Sequence, residues 1–211
     1  MDIFHFFQKG GPIMWPLLTA SLAALTVVVE RLIFIAVEMR TRNPKTVEKI
    51  LFQLKADEPE MALETGRASR DRIVKVLVAG LEHENNESLS DALMHAASQE
   101  LKRYERGLVI LDTIITLAPL LGLLGTVTGM IHAFGLLGNQ ELGSPMAITG
   151  GIAEALIATA FGLGIAITAL LPFNWLTAFF EKTRHEMESA ATRMELITRT
   201  SKPYETSPYV R

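Results

Sequence analysis

Three long apolar stretches divide the chain, and the segment between the first and second carries apolar residues at helical spacing instead. The first stretch runs from about Ile13 to Val37, and Ile13 to Val29 carries no charge. That length is just enough to cross a hydrocarbon core of roughly 30 Å. A cleaved signal peptide is the alternative, but only Lys9 precedes the stretch and the apolar run continues past the small residues around Ala20–Ala24. The second stretch runs from Gly107 to Leu137 and the third from Met146 to Phe180. Each exceeds the ~20 residues that a bilayer requires, so both are expected to tilt or to project into water at one end. Gly138 to Pro145 (GNQELGSP) has turn residues and too few positions to be more than a hairpin loop.

Between the first two stretches, residues 43–106 read as helical throughout. Asn43-Pro44 marks a helix start, followed by Val47, Ile50, Leu51 and Leu54 on one face. Glu58-Pro59 breaks that helix, a second continues to about Ala68, and a third carries Ile73, Val74, Leu77, Val78 and Leu81. Asn85-Asn86 interrupts again. Ser88 or Ser90 is placed to cap a last helix, Leu89 through Leu101, expected to run straight into the second span. His83 and His95 read as solvated helix residues. Ser201 to Arg211, with Pro203 and Pro208 among polar residues, reads as a disordered tail.

Charge turns this pattern into a topology. The chain is 49% apolar with a formal net charge of −3, which gives no support to nucleic-acid binding. From Gly107 to Phe180 there is no Lys or Arg, and the only acidic residues are Asp112, Glu141 and Glu154. Arg31 near the end of the first span and Arg40, Arg42, Lys45 and Lys49 after it, Lys102, Arg103 and Arg106 before the second, and Lys182 and Arg184 after the third all lie on one side. The hairpin loop has no basic residue. The positive-inside rule therefore predicts an N-terminus outside and a C-terminus inside. The expected fold is an all-α membrane protein: arm 1–12 outside, spans 13–37, 107–137 and 146–180, loop 138–145 outside. The long helices extend into a cytoplasmic helical domain, 38–106, and a C-terminal helix and tail, 181–211, lies on the same side.

Candidate chemistry is confined to a few polar residues inside the spans. With no cysteine, disulfides and thiolate metal sites are excluded, and no nucleophile–base pair or metal-ligand spacing points to an enzyme or a cofactor. Glu154, among Ile148, Ile152, Leu156 and Ile157, costs roughly 2–3 kcal/mol at membrane depth and is expected to face protein or water. An interfacial Glu154 requires the third span to begin later, and Gly162 to Leu171 alone is too short to span. Counting outward from the hairpin centre puts Thr126 level with Thr159, and Glu154 level with Ile131 and His132. Glu154 and Thr159 stand about 140° apart around a helix and cannot face one target. Either threonine alone reads more simply as bonding its own helix backbone. Gly122, Gly125, Gly129 and Gly162 are candidates for close helix packing.

Ala118–Phe134 (APLLGLLGTVTGMIHAF) and Gly151–Leu163 (GIAEALIATAFGL) resemble the ExbB/TolQ/MotA proton-channel family, most of all its ExbB and TolQ branches. The resemblance covers nearly the whole chain. It implies a homopentameric subunit of a bacterial inner-membrane motor around a dimeric, single-span ExbD/TolR-like partner, with a TonB/TolA-like protein beyond it. The proton motive force would energise transport across, or maintenance of, the outer membrane. Thr126, Glu154 and Thr159 match the family's polar residues of the second and third spans; His132 falls where the family is not uniform. Four spans mark the flagellar branch, and three count against it here. A non-conducting membrane scaffold would leave Glu154 unexplained, and an ion-coupled secondary transporter is poorly served by three spans without an inverted repeat.

Overall fold

The computed structural model describes residues 7, 9–83, 89–135 and 145–201, and in them every regular element is helical. The helices are α1 Met14–Thr41, α2 Pro44–Lys55, α3 Pro59–Arg67, α4 Arg72–His83, α5 Leu89–Glu105, α6 Leu108–Gly135 and α7 Pro145–Ser201. Three helical stretches, Met14–Thr41, Leu89–Gly135 and Thr149–Thr200, are long and apolar enough to cross a membrane. The expected loop 138–145, the Asn85-Asn86 interruption, Ser88 and the tail lie wholly or mainly outside the described residues. Ser90 is inside α5 and so is not its cap. The chain divides into two compact units, residues 1–33 with 107–177, and residues 34–106 with 178–211.

In the first unit, size decides which face of a helix is buried. The buried residues of α6 are Leu111, Ile114, Ala118, Gly122, Gly125, Gly129 and Ala133, spaced three and four apart. Along α7 from Gly151 to Ala169 the buried positions are Gly151, Ala155, Ala158, Gly162, Ala166 and Ala169. The large side chains point the other way: Leu120, Leu123, Val127 and Ile131 of α6 and Leu156, Leu163, Ile167 and Leu171 of α7 are exposed. Small inside and large apolar outside is the pattern of helices whose solvent is lipid, because no hydrophobic force drives the bulky side chains inward. α5 and α6 are separated only by Arg106 and Gly107, the latter at φ 86°. A Cβ on Gly107 would sit 2.9 Å from Val27 and 3.6 Å from the Arg31 side chain, so α1 is seated against this turn.

In the second unit the short helices are placed by caps. Pro44 starts α2 at a position that needs no N–H. Asp71, 1% exposed, accepts from Ile73 N–H at 2.9 Å to cap α4 and from Asn43 N–H at 2.6 Å to hold the start of α2. α2 ends with Asp57 at φ 61° and bonds from Glu58 N–H to Gln53 O and from Asp57 N–H to Leu54 O, a Schellman closure that turns the chain into Pro59. Val47, Ile50, Leu51 and Leu54 are buried as their spacing predicts. α2 packs on α3, α3 on α4 and α4 on α5. From α7, Arg193 donates to Glu48 of α2 at 2.6 and 2.8 Å, and these bonds hold the Glu48 carboxyl below its usual range.

Candidate functional site

The polar residues of the first unit are positioned by the contact between α6 and α7, where backbones meet. A Cβ on Gly122 would come within 3.0 Å of Thr159 Cα and 3.1 Å of Ala158 O. One on Gly162 would come within 2.5 Å of Ala118 O, and one on Gly129 within 3.1 Å of Gly151 O. Gly125 faces Ala158, and also Ile13 at the start of α1. These approaches set the register of the two helices. Gly129 faces the turn from Gly151 to Ala155, so Glu154 is level with Gly129 and not with Ile131 and His132. Gly122 faces Thr159, so Thr126 lies nearer the level of Ala155 to Ala158. The correction has a plain cause: small residues let the backbones interlock at one register, and that register need not bisect the intervening loop.

Each candidate side chain has a different neighbour. Thr159, half-buried, donates its hydroxyl to Gly122 O across the helix contact at 2.9 Å. Thr126, also half-buried, donates within its own helix to Leu123 O at 2.6 Å. His132 is exposed on α6, with no hydrogen bond or ion pair among the described residues. Glu154 is half-buried, and its carboxylate lies against the turn that begins α1: a Cβ on Gly11 would overlap Oε1, with Cδ at 2.6 Å and Cγ at 3.1 Å. Among the described residues, no hydrogen bond or ion pair joins Thr126, Thr159, Glu154 and His132 to one another. The Gly10-Gly11-Pro12 turn carried a signal in the sequence, a turn tripeptide opening an apolar helix, but its partner was not readable there.

A second polar constellation lies in the other unit and was not singled out by the sequence. Arg72 of α4 donates to Glu38 of α1 at 2.5 Å and to Glu100 of α5 at 2.7 Å. Its guanidinium stacks 5.2 Å from the Phe34 ring centroid and 5.8 Å from that of Tyr104. Burial works against the Arg72 charge, but the two carboxylates outweigh it and raise its pKa. Burial lifts the Tyr104 phenol far above its usual range, and the Glu38 carboxylate beside it pushes the same way. This constellation joins three helices by charge, and within it the buried Tyr104 hydroxyl has no hydrogen-bond partner among the described residues. Among the described residues, no group of three or more His, Asp or Glu is placed to hold a metal ion.

Residues 68–189, which include α4 to α6 and most of α7, match the MotA/TolQ/ExbB proton channel family. The chain belongs to that family. An ExbB-like biopolymer transport protein of Synechocystis sp. is 37% identical over 198 residues, 92% of this chain and 78% of the relative. The biopolymer transport protein ExbB of Neisseria gonorrhoeae is 41% identical over 91 residues, 43% of this chain and 41% of the relative. The Tol-Pal system protein TolQ of Haemophilus influenzae is 40% identical over 86 residues, 41% of this chain and 38% of the relative. As a member of the family, the chain is a membrane protein with a proton-channel role, and partnership with ExbD/TolR-type proteins is a general property of its ExbB and TolQ branches. Thr126, Glu154 and Thr159 fall inside the matched residues.

Proposed function

We propose that this chain is an ExbB/TolQ-like subunit of a proton channel that uses the ion gradient to energise a single-span partner. The observation that carries the reading is Glu154. It is the only Asp or Glu of α7 before Glu181, and it stands half-buried beside the Gly151 to Ala158 face that packs on α6. A carboxylate at that depth is unfavourable unless it serves ion passage or a partner. Five copies would enclose a dimeric ExbD/TolR-like partner in the inner membrane, N-terminus outside and C-terminus inside, with a TonB/TolA-like protein as the next element. Thr126, Thr159 and Glu154 would line the path. The path would be completed between copies and the partner helix.

The physical step follows from charge. A carboxylate on the partner helix, once protonated, loses its charge and can move past apolar surface that would otherwise exclude it. A gradient of ~100 mV supplies about 2.3 kcal/mol per charge, enough to bias such a step. The test is proton flux into proteoliposomes holding this chain with its single-span partner. Glu154→Gln is expected to abolish gradient-driven flux while the assembled complex keeps its mass; full flux in that variant would overturn the reading.

A further inference from the structure

The turn at the start of α1 packs on Glu154, the one half-buried carboxylate among the described residues of the membrane-type unit, and this contact has no counterpart in the motifs that gave the family. Gly11 has φ 73°, a backbone conformation that L side chains rarely adopt. The space where its Cβ would be is occupied by the Glu154 carboxylate. Two separate constraints therefore require glycine here, one from the backbone and one from Glu154. The surrounding turn is anchored on both sides. Gly10 lies against Met14 and, at 3.2 Å from its Cβ position, Ile157; Ile13 lies 2.9 Å from the Cβ position of Gly125. Phe7 meets Trp15 edge-to-face at 5.4 Å. Met14 and Leu17, one turn on, are buried. The helix opens with Met14 N–H on Gly11 O and Trp15 N–H on Pro12 O. Among the described residues Glu154 makes no hydrogen bond or ion pair, and this backbone turn lies directly against its carboxylate.

We propose that Gly11 is a positioning residue for Glu154, and that the turn 10–13 holds and covers the carboxylate. The proposal rests on the reading of Glu154 as an ion-pathway residue and names what controls its placement. Gly11 admits the carboxylate against the backbone; a side chain there displaces it toward the open side of α7. Shortening residue 154 by one methylene withdraws the carboxyl by about 1.5 Å and frees the space again.

The experiment uses the full chain assembled with its single-span partner in proteoliposomes. It reads proton flux and, independently, the rate at which a hydrophobic carbodiimide couples to the carboxyl at position 154, followed by peptide mass spectrometry. Gly11→Ala is expected to raise coupling at Glu154 severalfold and to reduce flux. Gly164→Ala, whose Cβ meets nothing within 4 Å, is expected to change neither. Backbone strain at Gly11 is the same whatever stands at 154, whereas the overlap exists only with Glu. Combining Gly11→Ala with Glu154→Asp is therefore expected to recover flux relative to Gly11→Ala alone. Gly11→Asn, which tolerates this backbone, repeats the comparison if the alanine variant does not assemble. Additive effects on the two backgrounds, or an unchanged coupling rate in an assembled Gly11 variant, would overturn the proposal. Undiminished flux in Glu154→Gln would instead overturn the ion-pathway reading, while the coupling rates would still report the contact.

Discussion

Arg72 shows how much can hang on one side chain that no motif marks. It neutralises Glu38 and Glu100, which come from α1 and α5, and it fills the space between Phe34 and Tyr104. Glu38 is 5% exposed, so losing the cation leaves a buried carboxylate without its counter-charge. Arg72→Leu is expected to destabilise the second unit by about 3 kcal/mol, because removing one partner strands a buried charge. Adding Glu38→Gln and Glu100→Gln is expected to return much of that loss. Thermal unfolding of the detergent-solubilised protein checks both; equal stability of Arg72→Leu and the parent would show the network to be decorative. Asp71 repeats the lesson with backbone partners: one buried carboxylate fixes the starts of two helices.

At the scale of elements, the α6–α7 contact is set by the absence of side chains. The glycines of α7 are not alike. Gly162 has Ala118 O at 2.5 Å from its Cβ position, and a backbone oxygen cannot move aside. Gly164, two residues on, has nothing within 4 Å. Gly162→Ala is therefore expected to force the helices apart, destabilising by about 1–3 kcal/mol. Gly164→Ala is expected to be neutral or to stabilise by up to about 1 kcal/mol through helix propensity. Unfolding of the two variants under one detergent condition decides it, and the reverse order would refute the packing argument. The same seam carries Thr159 to Gly122 O, so a hydroxyl that could serve an ion path is also part of the helix contact.

At the scale of the molecule, the apolar surface left outward needs a solvent or a neighbour. Leu120, Leu123, Val127 and Ile131 on α6 and Leu156, Leu163 and Ile167 on α7 are exposed in the single chain. Thr126 lies in a shallow groove with Val127, Met130, Ile131 and Phe134 on that same outward side of α6. The proposed path past Thr126 needs a second surface over this open groove, and a further copy or the partner helix would supply it. Native mass spectrometry in mild detergent is expected to give a particle of five copies, with two copies of the partner when both are expressed. A monomer under both conditions would contradict the proposed assembly.

Much of the architecture was legible in the sequence because it follows from local rules. Apolar runs of bilayer length, Pro at positions 44 and 59, and the spacing of Val47, Ile50, Leu51 and Leu54 each specify a helix or its end without reference to distant residues. The motifs Ala118–Phe134 and Gly151–Leu163 carried the family in the same way. What the sequence could not supply was register and partnership. The level of Glu154 came out opposite Gly129 because interlocking backbones choose a register by clearance, which is a property of two helices together. Gly11 against Glu154, 143 residues apart in the numbering of one chain, and Arg72 between Glu38 and Glu100 are contacts of the same kind. A spacing pattern records which face of a helix is buried; only the tertiary structure decides what it is buried against.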